Sequence, residues 1–236
     1  RIRTTTMLDI ARWAVKTLTG HLPTDRKLWK TCHHKDFSKS FRSFLWRLFH
    51  GGYKCGVYWE TIPNYELRGR CPVCDNETES LEHILLECTA PGGEIVWNLA
   101  RQLWEMTGHP WPALSFGTIL GCGLSDFRNP DGVRLPGTNR LYRILISESA
   151  HLIWKMRCTR RIEHLDDPAK FPSEREIRNK WVYHMNRRLL IDRLTCDKKR
   201  YGRRATQPKT VLNTWSSVLL GKENLPDDWI RESGVL

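Results

Sequence analysis

Cys71, Cys74, His83 and Cys88 fall within eighteen consecutive residues, in the spacing C-x2-C-x8-H-x4-C. A C-x2-C pair lets two thiolates converge on one ion from a tight turn. A His and a third Cys from the next segment complete a tetrahedral shell of sulfur and nitrogen donors, the set that suits Zn²⁺. Four protein ligands close the coordination sphere, so the expected site is structural; a catalytic zinc keeps one position for water. The alternative is four unrelated buried residues. Against it stands the clustering of three of the eight cysteines with a His.

These ligands need a turn followed by a helix. Ser80 is placed to cap a short helix through Leu81, Glu82, His83, Ile84, Leu85 and Leu86, with Leu81, Ile84, Leu85 and Cys88 along one side. His83 and Cys88 are five apart, about 140° around an ideal α-helix, so the spacing predicts that Cys88 lies where that helix frays. Around this knuckle the chain reads as helices. Residues 4–19 keep helical spacing through Met7, Ile10, Ala11, Ala14, Val15 and Leu18, and Gly20 and Pro23 stop it. Residues 38–50 repeat the pattern with Phe41, Phe44, Leu45 and Leu48, and a short helix is expected over 53–59. Residues 94–107 form another, with Ile95, Leu99, Leu103 and Met106 inward. The strongest helical stripe spans 140–163, through Leu141, Ile144, Leu145, Glu148, Leu152 and Met156, leaving Arg143 and Arg157 largely off it. Ser173 to Glu176 has the form of a capping box opening a helix to about residue 196, and Val211, Leu212, Trp215, Val218 and Leu219 make a last amphipathic helix. No strand pattern persists for six residues.

The expected fold is therefore mainly α: an irregular helical domain with an embedded CCHC zinc knuckle and a long basic C-terminal helical lobe. Residues 1–107 form a helical zinc-binding lobe with the knuckle at 71–88. Residues 108–138, rich in Gly and Pro, form a connection, and 139–236 a basic helical lobe. Most of the eleven tryptophans lie in helical stretches as buried anchors.

With 38 Lys and Arg against 26 Asp and Glu, the chain carries a net charge of +12, which points to polyanion partners. Residues 139–204 hold 18 of the basic residues and 8 of the acidic ones. Arg157, Arg160 and Arg161, then Lys198, Lys199, Arg200, Arg203 and Arg204, are the expected contacts to a nucleic-acid backbone, with Tyr201 able to stack on a base. A merely solvated helix face is the alternative. No apolar run approaches the eighteen or so residues of a membrane span, and no signal peptide opens the chain, which begins at Arg1 as a piece of a longer polypeptide or a processed product would. Unpaired C-x2-C cysteines suit a reducing compartment, so the expected location is intracellular, nuclear or cytoplasmic. Enzymatic signals are thin: Asp166-Asp167 and Asp227-Asp228 read as caps or loops. Glu148, Asp166 and Asp192 would have to gather in space to make a two-metal nuclease site.

Several strings resemble the zinc-binding region that follows the reverse transcriptase and ribonuclease H parts of fungal non-long-terminal-repeat retrotransposon polyproteins. They are Lys35-Asp36-Phe37-Ser38 with Phe44-Leu45-Trp46, the Cys-Pro-Val-Cys turn, the run from Glu79 through His83 to Cys88, Ile119-Leu120-Gly121-Cys122, and the run from Leu141 through Glu148 to Lys155. Together they cover nearly the whole chain. The resemblance implies Cys71, Cys74, His83 and Cys88 as ligands of one zinc, and a region that holds RNA template or target DNA while the element is copied. It implies the rest of a reverse transcriptase polyprotein as a partner. The polymerase and ribonuclease H catalytic parts are not in these 236 residues, so the expectation is a non-catalytic module that binds RNA or DNA. A protein-interaction scaffold with structural zinc and a metal-dependent nuclease fragment are the alternatives.

Overall fold

A computed structural model describes residues 2–74 and 77–232. Helices form where apolar residues recur at helical spacing and caps stand at the ends. The chain opens with α1 (Ile2–Thr19), α2 (Asp25–Thr31), α3 (Lys39–Phe49) and the short α4 (Val57–Glu60). Thr24 and Ser38 cap α2 and α3, each accepting from the backbone N–H three residues on. After the Cys/His segment come α5 (Gly93–Glu105), α6 (Phe116–Gly121) and the 23-residue α7 (Pro136–Cys158). The chain continues with α8 (Glu174–Leu194), α9 (Lys198–Tyr201) and α10 (Pro208–Trp215). Among the described residues there is no strand, only the isolated bridges Arg70–Thr78 and Arg128–Arg134. The fold is mainly α, as its periodicity requires.

Helix α7 is the axis. Leu141, Tyr142, Ile144, Leu145, Ile146, Ala150, Leu152 and Ile153 are all buried, so it is enclosed nearly all round by α3, α5, α6, α8 and α10. Enclosure leaves no solvent face for Arg140, or for Arg143, which the stripe placed off the core. Instead they turn inward to carboxylates. Arg140 forks onto Asp192 at 2.6 and 2.8 Å and reaches Asp36 at 3.0 Å, and Arg143 holds the other Asp36 oxygen at 2.9 Å. The Trp215 indole N–H donates to Asp192 at 2.8 Å. One buried network thus ties the segment before α3 to α7, α8 and α10.

Residues 108–138 do not separate two cores. They contribute α6, buried along its whole length, and a single apolar cluster runs from Leu8 to Ile230 through Phe116, Ile119 and Leu120. Two of the glycines that read as a linker, Gly117 and Gly121, serve a close helix crossing: a Cβ on Gly117 would stand 2.6 Å from the Ile10 carbonyl oxygen and the Ala14 methyl. In α5 the inward face is rotated from the expected one. Val96, Trp97, Leu99, Ala100 and Trp104 are buried and Met106 is exposed. The two indoles, seven residues apart, set that phase, donating to the carbonyls of Leu85 at 2.7 Å and Pro110 at 2.9 Å.

Candidate metal centre

The Cys-Pro-Val-Cys turn is held from both sides by backbone bonds. Cys71 N–H donates to the Glu77 carbonyl at 2.7 Å, Glu77 N–H to Cys74 at 2.9 Å, and Glu79 N–H to Gly69 at 2.8 Å. The Ser80 hydroxyl accepts from the His83 N–H at 2.9 Å, the predicted cap. Beyond Ser80 the chain winds more widely than an α-helix. Residues His83–Glu87 form a π-helical turn, closed by the Cys88 N–H on the His83 carbonyl at 2.8 Å. An i→i+5 closure brings residues five apart to the same side of the helix, which answers the 140° separation that an α-helix would impose. Cys88 itself is extended and ends this turn, so it stands where the helix stops, as the spacing predicts.

The four donor atoms lie within 4.8 Å of one another. Cys88 Sγ is 3.8 Å from both Cys71 Sγ and Cys74 Sγ. Sulfurs bound tetrahedrally at 2.3 Å from one ion stand about 3.8 Å apart. Both ring nitrogens of His83 are buried with no hydrogen-bond partner. Desolvating an imidazole in this way is costly unless one nitrogen has a metal to bind. Its Nδ1 stands 3.4 Å from the Glu77 carboxylate, the neighbour that suits a ring giving its other nitrogen to an ion. Protons alone leave the sulfurs in conflict. Hydrogen bonding from Cys88 pulls the Cys71 thiol down, and that same bond pushes Cys88 up, because two thiolates this close resist forming together. A divalent cation would remove the conflict. This Cys3His cluster can hold one metal ion.

Further N–H groups serve the sulfurs. Thr89 N–H donates to Cys74 Sγ at 3.3 Å, and Arg160 Nη1 to Cys88 Sγ at 3.7 Å. Behind them lies Glu79, completely buried, which takes bonds from Arg157 Nε at 3.1 Å and Arg160 Nη2 at 3.3 Å. Arg160 and Arg161 also pair with Asp166 at 3.0 and 2.8 Å, and Arg161 donates to the carbonyls of Arg68 and Arg70. The continuation of α7, a second π-helical turn at Thr159–Glu163, points these arginines at the knuckle. Sequence periodicity placed Arg157, Arg160 and Arg161 on an outer face as backbone contacts. In the structure their guanidinium groups instead join the knuckle to α7. Glu79 was missed as well, and nothing in its spacing marks a buried acid.

The other expected contacts lie elsewhere. Lys198, Lys199, Arg200, Arg203 and Arg204 are exposed around α9 and the turn after it. Among the described residues none of the five is paired with a carboxylate. Asp197 caps α9 by accepting from the N–H groups of Lys199 and Arg200, and Arg200 lies 5.6 Å over the ring of half-buried Tyr201. The three carboxylates of the nuclease alternative are not brought together into a metal-holding group with His or Cys; among the described residues only Cys71, Cys74, His83 and Cys88 form one. Asp166 faces Arg160 and Arg161, Asp192 faces Arg140, and burial raises the Glu148 carboxyl. No described helix is long and apolar enough to cross a membrane. Comparison with protein-family models, with curated proteins and with solved structures returned no match.

Proposed function

We propose that this chain is a non-catalytic module, stabilised by one structural zinc, that binds the backbone of RNA or DNA through the basic segment after α8. Three thiolates and an imidazole are the donor set that favours Zn²⁺ over harder cations, and four ligands leave no position for a reacting water. The observation that carries the nucleic-acid reading is the cluster of five exposed cations at 198–204, free of carboxylates among the described residues. Cations already held by internal acids have little to give a phosphate. These five are the ones that remain available. The resemblance to the zinc-binding region of fungal retrotransposon polyproteins supplies the biological setting, in which RNA template or target DNA is held beside the parts that copy it.

Zinc-loaded protein and a variant with all five cations changed to Ala would be titrated with a labelled RNA at several salt concentrations. Each phosphate no longer neutralised takes about 0.7–0.9 from the slope of log K against log salt, so the variant should bind more weakly and less salt-dependently. An unchanged slope overturns the reading. Retention on a protein partner in high salt, with no RNA or DNA shift at low salt, would replace it with a scaffold.

A further inference from the structure

A second surface lies beside the metal centre. The C-terminal half of α7, the loop over 164–172 and the first half of α8 enclose an open cleft of about 720 Å³. Lys155 from α7 and Lys180 and Tyr183 from α8 line it, with Phe171 and Arg160 also among its walls. Its charge is one-sided. Among the described residues Glu176 is the one carboxylate on the wall, and it is taken up by Ser173, accepting from both the backbone N–H at 2.7 Å and the hydroxyl at 2.8 Å; behind the wall Glu148 attracts Lys155 without forming an ion pair. Lys155 and Lys180 have no ion pair among the described residues, whereas Lys170 lies 3.9 Å from Asp167. The Lys155 ammonium donates to His184 Nε2 at 3.3 Å. Burial first, then Lys155 and Arg187, lower His184 to about 4, so the ring is neutral near pH 7 and accepts from the lysine instead of repelling it. That bond steadies Lys155 and leaves its other two N–H groups free. Tyr183 is 60 % exposed, so its ring is open to a ligand.

A steadied Lys155 and an unpaired Lys180 beside the exposed ring of Tyr183 and the part-buried ring of Phe171 match the two halves of a nucleotide, a phosphate and a flat base. The volume is in the range that holds a small molecule. From this juxtaposition we infer that the cleft between α7 and α8 binds one nucleoside-monophosphate unit, with Lys155 and Lys180 on the phosphate and Tyr183 or Phe171 against the base. Presented by a single strand, that unit is an unpaired nucleotide, which a duplex cannot offer without unstacking. This strand version rests on the nucleic-acid reading above; capture of a free nucleotide does not. Arg160 touches both the cleft and the Cys88 sulfur, so the metal centre supports the cleft wall.

Zinc-loaded full chain would be titrated with 5′-AMP and with adenosine, following the ring resonances of His164 and His184. The phosphate should strengthen binding at least about tenfold. The double variant Lys155→Ala/Lys180→Ala should abolish that gain, while the five-site Ala variant at 198–204 should leave it unchanged. Tyr183→Ala should weaken single-stranded rA12 about tenfold and a 12-base-pair duplex by less than twofold. These side chains are solvent-facing, so the variants should fold, and unchanged melting temperatures would verify it. Binding of 5′-AMP without discrimination of rA12 from duplex assigns the cleft to a free nucleotide and ends the strand version. If 5′-AMP moves no cleft resonance, or the double variant leaves the phosphate gain intact, the inference fails. The basic segment could still bind nucleic acid in that event.

Discussion

At the scale of single residues, the decisive feature is a buried imidazole with two unpartnered nitrogens surrounded by three sulfurs. Such a group is costly to bury unless a metal ion or a charge partner completes it. Cys88 is the hub, 3.8 Å from each of the other two sulfurs and reached by Arg160. Cys88→Ser should therefore reduce metal content from one zinc per chain to near zero, measured by elemental analysis of the purified protein. Metal binding to such a site is folding free energy, so the melting temperature should fall by about 10 °C, and chelation of the wild type should reproduce the loss. Stoichiometric zinc in the variant would show that Cys88 is not a ligand. Cys32 and Cys55 differ from these: burial pushes both up to about 11, away from the thiolate form that binds a metal.

At the scale of elements, two features re-aim side chains. The π-helical turn at His83–Glu87 brings residues five apart to one Cys/His cluster that can hold an ion, and the turn at Thr159–Glu163 brings Arg160 to the Cys88 sulfur of that cluster. The crossing of α1 and α6 depends instead on having nothing at Gly117. Gly117→Val should push these helices apart at a cost of about 1–3 kcal/mol, read by chemical denaturation. Zinc content should stay at one per chain, because α6 does not touch the knuckle. A variant as stable as the wild type would mean that the crossing relaxes freely. The glycines of 108–138 were legible as glycines, but a linker and a tight crossing use the same residue for opposite ends.

At the scale of the molecule, stability should be lost on mild acidification. His34, His151 and His184 are each lowered to about 4, in every case first by burial. Unfolded, a histidine takes a proton below about 6.5. Between pH 6.5 and 4 the unfolded chain therefore binds more protons than the folded one, so stability rises with pH across that window and falls on acidification. His151 packs against Phe41 and Phe44, with Lys155 and His184 nearby. Allowing for its partial exposure, it should account for about 1–2 kcal/mol of that loss. His151→Gln should flatten the decline of melting temperature from pH 6.5 to 4.5, measured with zinc in excess. An identical slope would assign the acid sensitivity to other groups. Asp36, pushed up by burial but held down more strongly by Arg140 and Arg143, adds a loss only at lower pH, below the ordinary carboxylate range.

Spacing and periodicity are local properties, and whatever depends on them was legible in the chain itself. The four ligands follow from the Cys and His intervals, the Ser80 and Ser173 caps from a hydroxyl before a helical run, and the mainly helical class from apolar recurrence. Charge partnership is not local. Arg157 pairs with Glu79, 78 residues away, and Arg140 with Asp36, 104 away, so no window of sequence could separate paired cations from free ones. The apolar content of α7 identified a helix but not its enclosure, which drew Arg143, expected off the core face, into a buried network with Arg140. Only the tertiary structure decided which basic residues face solvent, because burying a cation is tolerable only where a carboxylate from elsewhere in the chain meets it.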